Sequence, residues 1–297
     1  MESHRSGFVN IIGKPNVGKS TLLNALVGEK LSIITSKPQT TRHRILSILS
    51  GEDFQIVFSD TPGLVDDPNY GLHRMMNAFS LSAFEDADIM MLVTDPYDNF
   101  QENDPLIPLL QKLEVPKLLL VNKIDQVAED RIEQVVKKWK NWVDFDYILP
   151  ISALQKEGVP ELMQLILSRL PEGPVYYPKD QLSDRHNRFF VAEMIREQIL
   201  QLYSKEIPYA TEVQIDAYEE EENIDRIRAI IYVSRRTQKA IVIGKDGMAI
   251  KKLGIAARQE IEAFLGKQVY LELYVKVRDD WRNDDKSLRG FGYNADA

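Results

Sequence analysis

Eight consecutive residues, Gly13 to Ser20, have the types and spacing needed to hold a chain of phosphates. They match the pattern G-x-x-x-x-G-K-[ST]. In this pattern, backbone N–H groups surround the phosphates, Lys19 neutralises the terminal ones and the Ser20 hydroxyl binds Mg²⁺. Chance would produce the four specified positions in about one such chain in a hundred. We therefore predict a phosphate-binding loop with the contacts Gly13, Lys14, Pro15, Asn16, Val17, Gly18, Lys19, Ser20 and Thr21.

A second polar cluster follows the apolar run Phe54 to Phe58 and reads Asp60, Thr61, Pro62 and Gly63. A carboxylate at the end of a buried strand is a typical ligand of nucleotide-bound Mg²⁺, which makes Asp60 a candidate metal ligand. Gly63 allows the backbone to approach the last phosphate closely. Alone, this tetrapeptide is an ordinary turn. Its position after a phosphate loop favours the nucleotide role.

Two further clusters predict recognition of guanine. Asn122, Lys123, Ile124 and Asp125 follow the run Lys117 to Val121. The Asp125 carboxylate can accept two hydrogen bonds from the guanine ring N–H and amine, whereas adenine offers no matching donors. After the next apolar run come Ser152, Ala153 and Leu154, where the Ala153 N–H could donate to the guanine oxygen; this tripeptide alone is a weak signal.

The elements that must position these clusters alternate between strands and helices. Phe8–Ile12 is predicted as a strand and Thr21–Val27 as a helix that ends at Gly28; Ile45–Leu49 and Phe54–Phe58 are predicted as a hairpin. Helical and apolar segments then alternate at Leu72–Phe84, Ile89–Val93, Pro105–Leu113, Lys117–Val121, Arg131–Trp142, Tyr147–Ile151 and Val159–Leu170. Such alternation predicts an α/β domain, a mostly parallel sheet with helices on both faces, which binds ligands at the carboxyl ends of its strands.

The second half has a different pattern and predicts a smaller α+β domain. After a Pro- and Gly-containing linker, an amphipathic helix is expected at Arg188–Tyr203, with Phe189, Ile195, Ile199 and Leu202 as core residues. The later segments predict strands at Thr211–Tyr218, Arg226–Val233 and Val269–Val277, a helix at Met248–Leu265 and a solvated hairpin tip at Glu219–Glu222.

A glycine pair in this half lies within a basic region. Gly244, Lys245, Asp246 and Gly247 separate the apolar run Ala240–Ile243 from the helix. Between residues 235 and 258 there are seven basic residues and one acidic residue, a net +6; they include Lys239, Lys251, Lys252 and Arg258. A glycine loop beside a basic helix can hold a single-stranded nucleic-acid backbone. The alternative is a solvated basic helix on an unrelated domain.

Composition limits the remaining possibilities. The chain has 297 residues and no cysteine, which excludes disulfides and thiolate metal sites, and its net charge of −8 argues against indiscriminate nucleic-acid binding. No apolar run approaches the roughly 20 residues of a membrane span. We expect a monomeric, cytoplasmic protein; the sequence leaves peripheral membrane association open.

Taken in order, GKPNVGKS, QTTRHR, DTPGL, NKID and SAL resemble the Era family of GTPases, and QKAIVIGKDGMAIKKLGIAARQEIE resembles that family's KH domain. The resemblance implies a GTPase domain over residues 1–172, a linker over 173–184 and a type II KH domain with a C-terminal tail over 185–297. It also implies a short helix at Gln238–Ile243. The expected function is a checkpoint GTPase of small-subunit (30S) ribosome assembly that binds the 3′ end of 16S rRNA.

The resemblance also carries expectations about hydrolysis. Leu64 follows Gly63, where Ras-like enzymes have a water-orienting Gln, so intrinsic hydrolysis should be slow. A partner residue or a monovalent cation could substitute; Asn16 resembles the residue that binds K⁺ in related GTPases, although it could instead brace the loop. Of Thr40 and Thr41, the family pattern favours Thr41 as the ligand of Mg²⁺. The expected catalytic residues are Asn16, Lys19, Thr41 and Gly63.

Two other functions remain open at this point. GTP could merely stabilise an RNA-binding shape without being hydrolysed, or the chain could be an ATP-dependent phosphotransferase. Asp125 argues against the second, because an adenine base would leave its carboxylate without partners.

Overall fold

The computed structural model describes residues 4–35, 37–65, 67–97 and 100–294, and the chain divides into two compact units. Unit 1 comprises Met1–Ser32, Thr41–Asp67 and Met76–Asp184. Unit 2 comprises Arg185–Ala297 together with Ile33–Thr40 and Pro68–Met75, two segments from the first half of the sequence. The predicted domain limits at residues 1 and 297 lie outside the described residues.

Unit 1 contains a six-stranded sheet in the order β2-β3-β1-β4-β5-β6. Its strands are β1 (Arg5–Ile12), β2 (Ile45–Ser50), β3 (Phe54–Asp60), β4 (Ile89–Thr94), β5 (Lys117–Val121) and β6 (Tyr147–Pro150). The hairpin β2–β3 is antiparallel and the other pairs are parallel, which confirms the predicted mostly parallel sheet. β1 begins three residues earlier than predicted, because Arg5, Ser6 and Gly7 pair with the start of β3.

Helices cover both faces of this sheet. They are α1 (Lys19–Val27), α2 (Gly71–Ser82), α3 (Leu106–Lys112), α4 (Glu129–Lys140) and α5 (Val159–Arg169); residues 71–75 of α2 belong to unit 2. Leu22 of α1 and Leu162 of α5 belong to one buried cluster with the strands, while Leu110 of α3 and Trp139 of α4 belong to the other. Alternate side chains of each strand therefore reach two separate cores, as a doubly covered parallel sheet requires.

Residues 173–184, expected to be a linker, contact β1, β3 and the edge strand β2 of unit 1. Ser6 Oγ donates to the carbonyl of Pro174, and Gln55 Nε2 donates to that of Tyr177. The backbone N–H of Ile48 in edge strand β2 donates to the carbonyl of Leu182 at 2.8 Å. The segment thus satisfies hydrogen-bonding groups of an edge strand that would otherwise be open to another chain.

Unit 2 contains a three-stranded sheet, β7 (Thr211–Glu220), β8 (Ile224–Val233) and β9 (Gln268–Val277). β8 pairs with β7 antiparallel and with β9 parallel. Its helices are α6 (Asn187–Leu202), α7 (Arg236–Ile243), α8 (Met248–Leu265) and α9 (Asp285–Gly290). The predicted acidic run is exposed, but its first two residues extend β7, because they pair with Arg226 and Asp225. Within the described part of the chain, none of the helices has the length and apolarity to cross a membrane.

The prediction that α6 is amphipathic was wrong. Ile195 and Ile199 are buried as expected, but so are the charged residues Glu193, Arg196 and Glu197. Phe189 and Leu202, expected in the core, are only partly buried. Arg196 tolerates burial because its guanidinium donates to both oxygens of Glu193, at 2.7 and 2.5 Å, and a paired charge avoids most of the desolvation cost.

The two additional segments of unit 2 make specific contacts there. The Lys37 ammonium donates hydrogen bonds to the carbonyls of Leu200 and Tyr203 at the end of α6. The Arg282 guanidinium lies 4.0 Å from the centre of the Tyr70 ring, and the N–H of Gly71 donates to Asn283 Oδ1 at 3.1 Å. Both segments are therefore attached by hydrogen bonds and not by apolar packing alone.

Candidate functional site

All four predicted nucleotide clusters follow the carboxyl ends of strands in one sheet. The phosphate loop follows β1, Asp60 ends β3, Asn122 follows β5 and Ser152 lies just after β6. β3, β1, β4, β5 and β6 are neighbours in that order. The parallel topology therefore places segments that are distant in sequence along one edge.

The phosphate loop has the backbone conformation that its glycines permit. Gly18 has a φ of 98°, and a Cβ there would lie 2.2 Å from Asn122 Nδ2. Lys19 is buried, and its Nζ donates to the carbonyls of Gly13 and Lys14 at 3.0 and 2.9 Å. The lysine thus stretches back across the loop, the position from which an ammonium group can reach phosphates held by the loop N–H groups.

Burial shifts the pKa values of two charged groups in this loop region in opposite directions. Burial lowers the pKa of Lys19 to about 8, although the negative charge of Asp60 opposes the shift. Burial raises the pKa of Asp60, and a hydrogen bond from Ser20 and the charge of Lys19 oppose that shift. Each charged form is therefore disfavoured where it stands, and additional opposite charge would stabilise it.

Three oxygen ligands converge where Mg²⁺ was predicted. Ser20 Oγ donates to Asp60 Oδ2 at 2.8 Å and lies 3.0 Å from Thr41 Oγ1. Asp60 Oδ1 is buried and has no hydrogen-bond partner among the described residues. Hydroxyl and carboxylate oxygens with an unsatisfied buried carboxylate atom fit a magnesium ion that also binds phosphates. The Thr40 hydroxyl instead lies 2.8 Å from that of Thr35, so the geometry favours Thr41 over Thr40.

The segment Asp60 to Gly63 is fixed against the first strand and helix α2. Thr61 Oγ1 donates to the carbonyl of Ile11 at 2.6 Å, and Ser80 Oγ donates to that of Pro62 at 2.7 Å. A Cβ on Gly63 would lie 2.5 Å from the backbone nitrogen of Pro15. Only glycine permits this close approach between the two phosphate-facing loops.

The guanine cluster is held together by one amide. Asn122 donates to the carbonyl of Val17 at 2.8 Å and accepts from the Ala153 N–H at 2.9 Å. Ser152 Oγ donates to Asp125 Oδ1 at 2.6 Å and so orients that exposed carboxylate. The Ala153 N–H, expected to face the guanine oxygen, already has an acceptor in this structure. Leu154 is 69% exposed.

Sequence reasoning missed Asp95, which follows β4 and is buried. The Lys123 ammonium donates to Asp95 Oδ2 and to the carbonyl of Asn16, each at 2.6 Å. Lys123 thereby joins the guanine cluster to the phosphate loop. A carboxylate directly after a buried strand of the same sheet was the available signal.

In unit 2 the residues Gly244 to Gly247 form a tight turn between α7 and α8. Gly244 and Gly247 have φ values of 73° and 74°, and Asp246 also has a positive φ of 51°. A Cβ on Gly247 would meet no atom within 4 Å. The turn is therefore open on the side of Gly247, where a nucleic-acid backbone could approach.

The surface around this turn combines positive charge with exposed apolar side chains. Lys245, Lys251, Lys252 and Arg258 are exposed and Lys239 is partly buried; Arg258 Nη1 lies 3.8 Å from Glu262. The apolar residues Ile241, Met248 and Ile255 are 50%, 62% and 47% exposed. Residues 248, 251, 252, 255 and 258 follow the spacing of one helical face. Sequence reasoning missed these apolar members, although their spacing was visible.

Family models cover both units. Residues 8–123 match the family described as 50S ribosome-binding GTPase, and residues 206–282 match the KH domain family. GTPase Era of Syntrophus aciditrophicus is 44% identical over 98% of this chain and 95% of the relative. The chain belongs to the Era family of GTPases. A chloroplastic ERA-like GTPase of Oryza sativa is 43% identical over 99% of this chain and 70% of the relative.

Solved Era structures agree in fold. A variant of Aquifex aeolicus Era bound to GDP·AlF₄⁻ has a TM-score of 0.90 and 38% identity, covering 97% of this chain and 99% of that chain. An Era structure in complex with MgGDPNP and nucleotides 1506–1542 of 16S ribosomal RNA also has a TM-score of 0.90, with 37% identity over 98% and 99% of the chains. The expected two-domain fold, GTPase activity and family membership are confirmed.

In this member of the Era family, Leu64 packs against the buried cluster that contains Leu92 and Trp139. An aliphatic side chain held against a core offers no hydrogen bond to an attacking water. The residue after Gly63 therefore contributes shape and not proton chemistry.

The guanine assignment predicts a switch of nucleotide preference in Asp125→Asn. The change replaces a carboxylate oxygen with an N–H donor that opposes the donors of guanine and suits the extra oxygen of xanthine. We expect GTP affinity to fall about 100-fold and xanthosine triphosphate affinity to rise, measured by competition with a labelled nucleotide. As a control, Ser152→Ala should weaken GTP binding without favouring xanthosine triphosphate. Unchanged GTP preference in Asp125→Asn would show that Asp125 does not face the base.

The lowered pKa of Lys19, to about 8, predicts proton uptake on nucleotide binding. At pH 9 most Lys19 side chains are neutral in the empty protein, and adjacent phosphates favour the ammonium form. GDP binding at pH 9 should therefore take up about one proton, whereas binding at pH 7 should take up none through this group, and affinity should fall as the pH rises above 8. Calorimetry in two buffers of different ionisation enthalpy measures the uptake. Identical heats in both buffers at pH 9 would contradict the prediction.

Proposed function

We propose that this Era-family GTPase binds the 3′ end of 16S rRNA and acts as a GTP-dependent checkpoint in assembly of the 30S ribosomal subunit, as a cytoplasmic monomer. One observation carries the proposal: a single chain combines guanine- and phosphate-binding loops with an exposed basic face around a G-x-x-G turn. In the proposal, residues 1–172 hold GTP, residues 185–297 hold RNA and residues 173–184 join them. The Era complex with nucleotides 1506–1542 supports the choice of RNA.

The family description for residues 8–123 names the 50S subunit, whereas our proposal names the 30S subunit. That description matches only residues 8–123, within the proposed nucleotide-binding domain. The smaller subunit is favoured because the Era complex contains its RNA. The KH match at residues 206–282 adds the module that would bind that RNA.

In the proposed GTP site the phosphate loop surrounds the phosphates and Lys19 neutralises them. Ser20, Thr41 and Asp60 would hold Mg²⁺, which neutralises the phosphate charge that grows during hydrolysis. The Gly63 N–H would donate to the last phosphate. Asn122 and Ser152 position the base-contacting residues, and Lys123 covers the base through its contacts with Asp95 and Asn16.

Leu64 stands where Ras-like GTPases have a water-orienting Gln, so the proposal needs another group to stabilise the charge that develops during hydrolysis. We propose K⁺ as that group, bound through the side chain of Asn16. Asn16 has a φ of 65°, a conformation that asparagine adopts more readily than most residues. Its carbonyl accepts from Lys123, which fixes the loop at this residue.

In the proposed RNA site, charge and apolar contact have separate roles. Lys245, Lys251 and Lys252 would neutralise phosphates of any sequence. Ile241, Met248 and Ile255 would contact bases, which expose flat apolar faces in single strands. Gly244 and Gly247 allow the backbone of the turn to approach the RNA backbone closely.

The cation proposal predicts that hydrolysis is several-fold faster in K⁺ than in Na⁺ at equal ionic strength. Phosphate release at saturating GTP measures the difference. Asn16→Ala should remove it, because the ion loses its side-chain ligand. Equal rates in the two salts would exclude K⁺ from the mechanism and leave a partner residue as the activator.

The RNA proposal predicts that Gly247→Asp abolishes binding of a short oligonucleotide with the 16S 3′-end sequence. A Cβ at this position would meet no atom within 4 Å, and Asp tolerates a positive φ better than most residues, so the fold and GTP affinity should persist. Gly247→Asn is the matched control, since it adds nearly the same volume and backbone strain without the negative charge. Titration by fluorescence anisotropy should show a much greater loss with Asp than with Asn.

Salt dependence gives a second readout of the same prediction. Lys251→Ala should weaken binding to all sequences alike and reduce the slope of log affinity against log salt by about 0.7, the single-strand value for one phosphate contact. If Gly247→Asp binds the oligonucleotide as the wild type does, the RNA does not contact this turn.

A further inference from the structure

Helix α6 makes two polar contacts with the segment Ile33–Thr40, both within unit 2. At its carboxyl end, the carbonyls of Leu200 and Tyr203 accept from the Lys37 ammonium. About one helical turn before Leu200, Arg196 Nη2 donates to the backbone carbonyl of Thr40. The segment is therefore held at two points, near its middle and at its last residue.

Both contacts pair a charged donor with a backbone carbonyl, a kind of hydrogen bond that contributes more than a neutral pair. The Lys37 ammonium meets carbonyls at the end of the helix, where intrahelical donors run out and the helix dipole favours positive charge. Arg196 is 1% exposed, and Glu193 fixes the orientation of its guanidinium by accepting from Nε and Nη2. Its third nitrogen, Nη1, is buried without a hydrogen-bond partner among the described residues. A buried guanidinium in this situation loses much if the Thr40 carbonyl leaves.

The residue that follows the segment is the proposed magnesium ligand. Thr40 is bonded to Arg196 through its carbonyl, and the next peptide bond leads to Thr41, whose hydroxyl lies 3.0 Å from that of Ser20. The carbonyl of Thr40 and the N–H of Thr41 belong to the same peptide plane. Fixing that carbonyl therefore restricts where the Thr41 side chain can lie.

We propose that Arg196 and Lys37 are positioning residues of the GTP site, which keep Thr41 where its hydroxyl can bind the magnesium of Mg·GTP. The inference rests on the proposed role of Thr41. The inference adds that the contacts of Ile33–Thr40 with α6 affect the conformation of the loop that carries Thr41. Coupling between two binding equilibria is reciprocal. If the contact with α6 increases the affinity for Mg·GTP by some factor, Mg·GTP must stabilise the contact between the segment and α6 by the same factor.

The test compares the affinities of a non-hydrolysable Mg·GTP analogue and of GDP in the full chain. Lys37→Met and Arg196→Lys should each weaken analogue binding about fivefold and leave GDP binding unchanged, because loops of this kind contact the metal only when the last phosphate is present. Both should also require more Mg²⁺ for half-maximal analogue binding. A purely structural defect would not separate the two nucleotides.

A matched control is available in unit 1. Lys179 also donates to two backbone carbonyls, those of Gly51 and Glu52, at 2.9 and 2.7 Å. Lys179→Met removes the same kind of contact from a segment outside the nucleotide loops, and both affinities should stay as in the wild type. If Arg196→Lys fails to fold, Lys37→Met alone decides the outcome, since Lys37 lies on a surface segment that is only partly buried.

A double-mutant cycle with Thr41→Ala shows whether the two residues act through Thr41. The effect of Lys37→Met on the analogue should disappear in the Thr41→Ala background. Additive losses, or equal weakening of GDP and analogue, would overturn the inference and leave the magnesium role of Thr41 intact. If Thr41→Ala alone changes neither analogue affinity nor hydrolysis, the magnesium assignment itself fails, and the inference fails with it.

Discussion

The side-chain amide of Asn122 connects three loops of the nucleotide site. It is 2% exposed, donates to Val17 in the phosphate loop and accepts from Ala153 in the loop after β6. Gly18 has no side chain at the point where a Cβ would lie 2.2 Å from this amide. Because an unpaired buried amide is costly, the three loops can occupy only arrangements that keep both bonds. Together with the Lys123 bond to the carbonyl of Asn16, this amide restricts the distance between the phosphate loop and the proposed base-binding loops.

The parallel sheet brings the three loops connected by Asn122 to one edge, and the sequence predicted this sheet. Short apolar runs alternating with helical periodicity predicted a parallel sheet, and each polar motif then fell at a strand end because ligands of such sheets bind there. The sequence could not show which of the predicted ligand-binding groups form hydrogen bonds within the protein itself. The Ala153 N–H, expected to face guanine, is bonded to Asn122, and Asp95 holds Lys123. Such pairings join residues 28 to 31 positions apart and leave no trace in local periodicity.

Helix α6 shows the same limit more clearly. Its apolar spacing predicted one buried face, yet Glu193, Arg196 and Glu197 are also buried. Charged residues in a sequence favour a solvated face, because burying an unpaired charge is strongly unfavourable. The prediction failed because Arg196 has partners in its own helix and at Thr40, 156 residues away. A buried ion pair of this kind is weak evidence for stability, because the desolvation of its charges can cost more than their attraction gains.

The two buried charged groups of the nucleotide site, Lys19 and Asp60, do not fully compensate each other's charge. Burial disfavours both the ammonium of Lys19 and the carboxylate of Asp60, and their mutual attraction offsets only part of that cost. In the proposed site, phosphates would stabilise the first and Mg²⁺ the second, so Mg·GTP would stabilise both charged forms at once, whereas a neutral ligand would stabilise neither. Binding of Mg·GTP would therefore offset part of the solvation that the two buried charges have lost. A loop of the same shape without Lys19 would bind phosphate less strongly. It would lack a buried ammonium group whose charge is only partly compensated in the empty protein.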